Sequence, residues 1–229
     1  MGRLAELTAR YDLQANAAPA LDKILELQAE DPTASTTVRD PTEALDRHVA
    51  DSLVALELLE VRNATRIADL GSGAGWPGLA LAAALSHARV ALVESVTRHC
   101  RYLRKAATHL PNVDVVHARA EDWPGGLGAH DLVTARALAS LPVVAEYAAP
   151  LLKHNGTLVA WKGAVDEAEA RAGAAAAQTL GLEPTEVRAV KPYLAAERRT
   201  LHVFRKIAPT PPRFPRRPGM AVKRPLGGG

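Results

Sequence analysis

The sequence predicts an α/β protein: a doubly wound sheet with helices on both faces, preceded by an N-terminal helical cap. Three observations predict it. From residue 66 onward, short apolar runs alternate with stretches of helical spacing, the pattern of right-handed crossovers between parallel strands. The first run, "RIADL", ends directly in "GSGAGWPG", a loop with more backbone freedom than a plain turn needs. Before residue 62 the alternation is missing and helical spacing dominates.

Taken in order, "MGRLAELTARYDL" mixes charges with leucines and reads as a helix of the mature protein rather than a signal peptide. "EDPTASTTV" is a loop by its Pro, Ser and Thr content. In "RDPTEALDRHVADSLVALELLE", Asp40 is placed to cap a helix, Pro41 sits at its first position and Glu43 closes a capping box. Leu45, Val49, Leu53 and Leu56 then share one buried face. "RIADL", "RVALVE", "VDVVHA", "DLVTAR" and "GTLVAWK" read as strands, with helices over "GLALAAAL" and "TRHCRYLRKAATHL" between them. "DEAEARAGAAAAQTLG" is a strong helix former that stops at Gly181. "EPTEVRAV" and "RTLHVFRK" close the series as an antiparallel pair. From Ala208 the Pro- and Gly-rich remainder reads as a flexible tail. The chain thus divides into a cap (1–62), a core (63–207) and a basic tail (208–229).

Composition narrows the class. The 229 residues are 48% hydrophobic but only 4% aromatic, so aliphatic side chains and alanine build the core. The single cysteine, Cys100, rules out an internal disulfide framework and reads as a buried structural thiol. No apolar run approaches the ~20 residues of a membrane span, and the expected location is the cytoplasm. The net charge of +3 conceals an asymmetry: residues 188–229 carry eleven Lys/Arg and one acid, leaving an acidic body. Such a basic end suits a polyanion, and nucleic acid is the expected partner.

In an open α/β sheet, ligands bind outside the carboxyl ends of the strands. Asp69 and Gly71 end the first strand, Glu94 the second, Arg136 follows "DLVTA", and Lys162 follows "GTLVAW". Polar residues from four strands therefore converge on one edge. Gly71, Gly73 and Gly75 let backbone approach a ligand, and the following helix offers free N–H groups. Glu94 lies 21 residues after Gly73, near the ~20-residue interval at which an acid binds ribose hydroxyls. The dinucleotide pattern G-x-G-x-x-G fails because residue 76 is Trp, which disfavours a nicotinamide dehydrogenase, and no phosphate-binding G-x-x-x-x-G-K-[ST] occurs. Asp-x-Gly-x-Gly-x-Gly resembles the first motif of Rossmann-like class I methyltransferases that use S-adenosyl-L-methionine. No metal site is expected.

The resemblance extends further. "VRDPTEALDRHVADSL", "ADLGSGAGWPGLALA", "TARALASL", "AWKG" and "ERRTLHVFRK" are similar, in order and spacing, to the ribosomal RNA small subunit methyltransferase G family, also called glucose-inhibited division protein B. The likeness runs from about residue 36 to the end, and the tail "PRRPGMAVKRPL" looks like that of many members. It implies methylation of N7 of a guanine in small-subunit (16S) ribosomal RNA near the decoding region. It also implies cofactor contacts at Gly71, Trp76, Ala120, Glu121 and Arg136. Trp76 stands where a smaller apolar residue is common, and "PTASTTVRD" replaces the Trp-Asn and Asn-Leu-Thr elements usual before "RDP".

Guanine N7 carries a free lone pair, so its methylation needs positioning rather than a base. Arg136 and Lys162 are the candidates to hold the guanine or nearby phosphates. The plainer reading pairs Arg136 with Asp69 or Glu121 and leaves Lys162 solvated. The resemblance also raises Arg39, Arg47, His48 and Asp51 as cap residues facing RNA; Arg47 and Asp51, four apart, alternatively form a surface pair. Arg198 and Arg199 precede the last strand, and Arg213, Arg216, Arg217, Lys223 and Arg224 offer charge to phosphates. The substrate is RNA or the small ribosomal subunit, the protein a monomer. Alternatives are a methyltransferase with another substrate, or a non-catalytic ribosome-binding protein.

Overall fold

The computed structural model describes residues 2–227; residues 228–229 of the tail lie outside the described residues. Seven strands form one sheet: β1 (Arg66–Leu70), β2 (Arg89–Glu94), β3 (Val113–His117), β4 (His130–Arg136), β5 (Leu152–Lys162), β6 (Leu182–Val190) and β7 (Arg199–Lys206). Their order is β3-β2-β1-β4-β5-β7-β6. Only β7 runs against its neighbours, antiparallel to both β5 and β6. The expected closing pair is present, and β7 is inserted between β5 and β6.

Both faces of the sheet are covered, so its strands alternate between two apolar layers rather than between apolar and polar sides. Ile67, Leu132 and Val159 point into one layer, while Ala68, Val133 and Leu158 point into the other. The first layer holds α6 (Gly78–Ala84), α7 (Thr97–Ala107) and the cap helices α1 (Arg3–Tyr11) and α2 (Ala17–Glu30). The second holds α8 (Leu141–Ala148) and α9 (Glu167–Leu180). The cap shares its core with the sheet: Leu7, Leu21 and Ile24 are fully buried in the same cluster as Leu79 and Leu92. Gly181 ends α9 in the left-handed conformation, as its position suggests.

The helix expected after Asp40 begins as the sequence indicates, with the Asp40 carboxylate accepting from the Glu43 N–H. The Glu43 side chain does not return to complete the box; it binds Arg47 at 2.6 Å. The helix is then irregular. After α3 (Pro41–Ala44) comes a π-helical turn (Leu45–Ala50), then α4 (Asp51–Leu53), a 3-10 turn (Val54–Glu57) and α5 (Leu59–Arg62). In the π-helical turn the Asp51 N–H reaches the Asp46 carbonyl rather than that of Arg47. The Arg47 carbonyl is thereby open to Arg136, which donates to it at 3.1 Å.

The tail corrects the sequence reading. Residues 209–227 are not a flexible extension but fold back over α8, with Phe214 and Ala221 buried in its layer and a last short helix, α10 (Met220–Lys223). Two features outweigh the Pro and Gly content. Phe214 supplies an apolar anchor, and Glu146 of α8, fully buried, needs a cation. Arg216 provides it through both carboxylate oxygens, with Nε at 2.7 Å.

Candidate active site

The glycine loop follows β1 at the point where strand order reverses, so the ends of β1 and β4 part and leave a crevice. Gly71, Gly73 and Gly75 all have positive φ, at 63°, 54° and 94°. At Gly75 a side chain would also run into Leu79, and at Gly71 into Leu138. The turn is fixed from below: the Gly71 and Ser72 N–H groups donate to the Val93 carbonyl at 2.9 and 3.2 Å. Glu94 braces it from the side, accepting from the Gly73 N–H at 3.0 Å and the Val96 N–H at 2.8 Å.

Two cavities meet at Gly71. The larger, about 820 Å³, lies over residues 71–74, is walled on one side by the cap and opens to solvent. The smaller, about 120 Å³, runs between Leu138 and the segment Ala118–Glu121, with Tyr147 at its end. Burial and the neighbouring Glu121 carboxylate push the Tyr147 hydroxyl up to about 12. A narrow slot with apolar walls at Val93, Ala120 and Leu138 and polar groups at Ser95, Glu121 and Tyr147 suits a nucleobase. Bare loop backbone beside a polar chamber suits the charged end of the same molecule. The residues present therefore fit an adenosine-bearing cofactor that bridges the two.

The large cavity is lined by six basic residues, Arg39, Arg47, Arg98, Arg136, Lys162 and Arg199, and by one acid, Asp51. That acid is engaged: Arg136 donates to it at 2.8 Å and Arg199 stands 3.6 Å from its other oxygen. Arg136 also donates to His48 Nδ1 at 3.1 Å. His48 must then carry its proton on Nε2, which donates to Thr36 Oγ1 at 3.0 Å. Burial first, and the Arg136 charge second, hold His48 down at about 4. Burial lowers the Arg136 guanidinium too, while Asp51 opposes that shift. Trp161 Nε1 donates to the Asp51 carbonyl at 2.7 Å, so β5 fixes the backbone that carries the carboxylate.

Several sequence expectations require correction. Arg136 pairs with Asp51, not with Asp69 or Glu121, and Arg47 does not pair with Asp51. Asp69 lines neither cavity; it is fully buried under the loop, accepts from Thr134 Oγ1 at 2.8 Å, and is pushed by burial up to about 6. Glu94 lines neither cavity, and both its carboxylate oxygens brace the loop and its flank. Trp76 lines the large cavity as expected and has a second role: it is 4% exposed and donates to Gln28 of α2 at 2.6 Å, with His48 stacked on it, so it pins the loop to the cap. Arg39 donates to the carbonyls of Gln28, Asp31 and Ala34 and holds the cap loop in shape. Lys162 reaches the cavity wall but binds the Ala139 carbonyl at 3.1 Å and Glu169 at 2.6 Å. Arg216 is spent on Glu146. Arg198, Arg213, Arg217, Lys223 and Arg224 are exposed. Arg199 stands at the cavity because antiparallel β7 begins at the edge where the other strands end.

Three contributors were missed. Residues 32–38 form one wall of the cavity, and the hydroxyls of Thr33, Ser35, Thr36 and Thr37 in "PTASTTV" were the available signal. Arg98 lines the cavity from the first turn of α7. Trp161 lines the cavity one residue before the strand-end Lys162.

The strand order and the solved structures agree on the class of fold, a Rossmann-like doubly wound sheet. The chain superposes on the Methanococcus jannaschii fibrillarin pre-rRNA processing protein with a TM-score of 0.56 at 14% identity, over 69% of this chain and 74% of that one. It superposes on Aeropyrum pernix fibrillarin in complex with S-adenosyl-L-methionine with a TM-score of 0.51 at 18% identity, over 68% and 72%. Sequence narrows the class to a family. The model of rRNA small subunit methyltransferase G (GidB) matches residues 27–200. A Rubrobacter xylanophilus protein, "Ribosomal RNA small subunit methyltransferase G", is 43% identical over 83% of this chain and 76% of its own length. A Bacillus subtilis protein of the same name is 35% identical over 84% and 83%. The chain belongs to the ribosomal RNA small subunit methyltransferase G family. Among the described residues no helix is long and apolar enough to cross a membrane.

Proposed function

We propose that this protein methylates N7 of a guanine in small-subunit (16S) ribosomal RNA, near the decoding region, in the cytoplasm. The observation that carries the reading is the charge of the large cavity: six basic residues against one acid, and that acid already paired. Such a chamber attracts a polyanion, and it offers no free base to deprotonate a nucleophile. His48 has both ring nitrogens occupied, and Asp51 is held by Arg136. Guanine N7 suits these limits because its lone pair is available without proton removal.

The bound cofactor supplies an electrophilic methyl group. The chain's own work is to orient. Gly71 and Gly73 bring backbone close to the amino-acid end of the cofactor, and the slot at Ala120 and Glu121 takes its adenine. Arg136, fixed by Asp51, His48 and the Arg47 carbonyl, has two of its five N–H groups without a protein partner. These are the donors for guanine O6 or a flanking phosphate. Lys162, tied to Glu169, holds the loop after β4 through Ala139. Arg47 and Arg199 supply charge at the rim, and Arg198, next in the chain to Arg199, is exposed to add to it. A base within such a chamber must be splayed out of its stack.

The test is transfer of labelled methyl from S-adenosylmethionine to small ribosomal subunits from a strain lacking the gene, followed by borohydride–aniline cleavage. One N7-methylguanine in the decoding region, absent with Gly71→Asp, is the expected result. Label at another atom would refute the N7 assignment, and label at a distant guanine would change the substrate site.

A further inference from the structure

The C-terminal strap, residues 208–226, lies beyond the stretch matched by the family model, which ends at residue 200. It nevertheless reaches the smaller cavity. The Gly219 N–H donates to Glu121 Oε1 at 3.0 Å, from a turn with φ of 81° at the start of α10. Glu121 lines the slot with its backbone on a single 3-10 turn, Ala120–Asp122. The Tyr147 hydroxyl of α8 also stands beside this carboxylate, and the Gly219 N–H adds a donor from a separate element.

The far side of the strap is firmly held. Phe214 is buried against the α8 layer, and Arg216 engages both oxygens of Glu146, itself fully buried, while also donating to the Arg224 carbonyl at 2.8 Å. The Arg216–Arg224 link closes the segment on itself, with Gly219 at its bend. Anchor, bend and carboxylate thus form one connected path from α8 to the slot.

We infer that the C-terminal strap is the positioning element of the adenine slot: through the Gly219 N–H it holds the Glu121 carboxylate where the cofactor's adenine amino group donates to it. This rests on the placement of adenine beside Ala120 and Glu121. A fixed acceptor gains affinity because its orientation is settled before the ligand arrives. A hydrogen bond to a charged group is worth roughly ten-fold or more in an equilibrium constant.

The test uses the full-length protein and titrates S-adenosylmethionine by calorimetry. Gly219→Pro removes the N–H and cannot adopt the positive φ, while the Phe214 and Arg216 side chains themselves are unaltered. It is expected to raise Kd about ten-fold, as is Glu121→Ala; the double variant is expected to bind no more weakly than Glu121→Ala alone. Phe214→Ala, which loosens the strap from its other end, is expected to show the same non-additivity with Glu121→Ala in Kd, while their effects on melting temperature add. A purely structural strap would give additive losses in both readouts, which would overturn the inference. An unchanged Kd in Gly219→Pro with a raised Kd in Glu121→Ala would overturn the strap's role alone. An unchanged Kd in Glu121→Ala would overturn both that role and the placement of adenine.

Discussion

Arg216→Ala asks how far the folded core depends on a segment whose composition reads as a tail. The substitution removes the one ion-pair partner of Glu146 among the described residues, a carboxylate with no exposed surface. Breaking a buried pair by deleting one member costs about 3–5 kcal/mol, because the remaining charge stays buried and uncompensated. Two features lower that figure here. The Arg216 side chain is 22% exposed, and the strap can undock to let water reach Glu146, which caps the loss at the strap's docking free energy. About 2–4 kcal/mol remains. At roughly 2–4 °C per kcal/mol for a chain of this size, the melting temperature falls by about 5–15 °C. Urea titration followed by tryptophan fluorescence measures the change at constant temperature. Glu146→Gln combined with Arg216→Ala is expected to recover about half the loss, since a neutral amide is cheaper to bury. If Arg216→Ala lies within ~0.5 kcal/mol of the parent, or the double variant is no better than the single, the reasoning fails.

Further outcomes are expected around the cavity. Asp51→Ala frees a largely buried Arg136 and is expected to cost about 2–3 kcal/mol and most methyl transfer, whereas Asp51→Asn keeps an acceptor and costs less in a thermal melt. His48 sits at about 4 in the folded chain against ~6.5 unfolded, so the unfolded chain binds the extra proton. Stability is therefore expected to fall as pH drops from 6.5 toward 4, and His48→Gln to flatten that slope in urea titrations across the window. Gly71→Ala meets Leu138 in a left-handed backbone and is expected to weaken S-adenosylmethionine at least ten-fold by calorimetry. Neutralising Arg213, Arg217, Lys223 and Arg224 together, all exposed, is expected to weaken RNA uniformly and to reduce the salt slope by roughly 0.7–0.9 per lost phosphate contact.

The sheet was legible because its strands are short apolar runs between helical spacings, and the closing antiparallel pair could be read from "EPTEVRAV" and "RTLHVFRK". The glycine loop was legible for the same reason that it works: three residues in a row of alternate positions have positive φ, and only glycine marks that in a sequence. Side-chain partnerships were not legible. Arg136 meets Asp51 across 85 residues, and nothing local to either announces the pair. Asp69 and Glu94 occupy strand ends as expected, yet a strand end has both a face toward the ligand and a face under the loop, and spacing does not distinguish them. The tail misled because Pro and Gly content describes local stiffness and freedom, whereas its docking depends on a buried acid 70 residues earlier.

The π-helical turn at Leu45–Ala50 has a consequence for how this segment tolerates change. It holds one residue more than the α-helical path would need, and that residue sets the phase of everything after it. Loss of a single position there would let the turn relax to α geometry and rotate the following residues by about 100°. Asp51 would leave Arg136, and the Arg47 carbonyl would return to its own helix. Substitutions along the segment act one side chain at a time; a deletion acts on the whole frame. Chain length, as much as residue identity, keeps the cap in register with the strand ends.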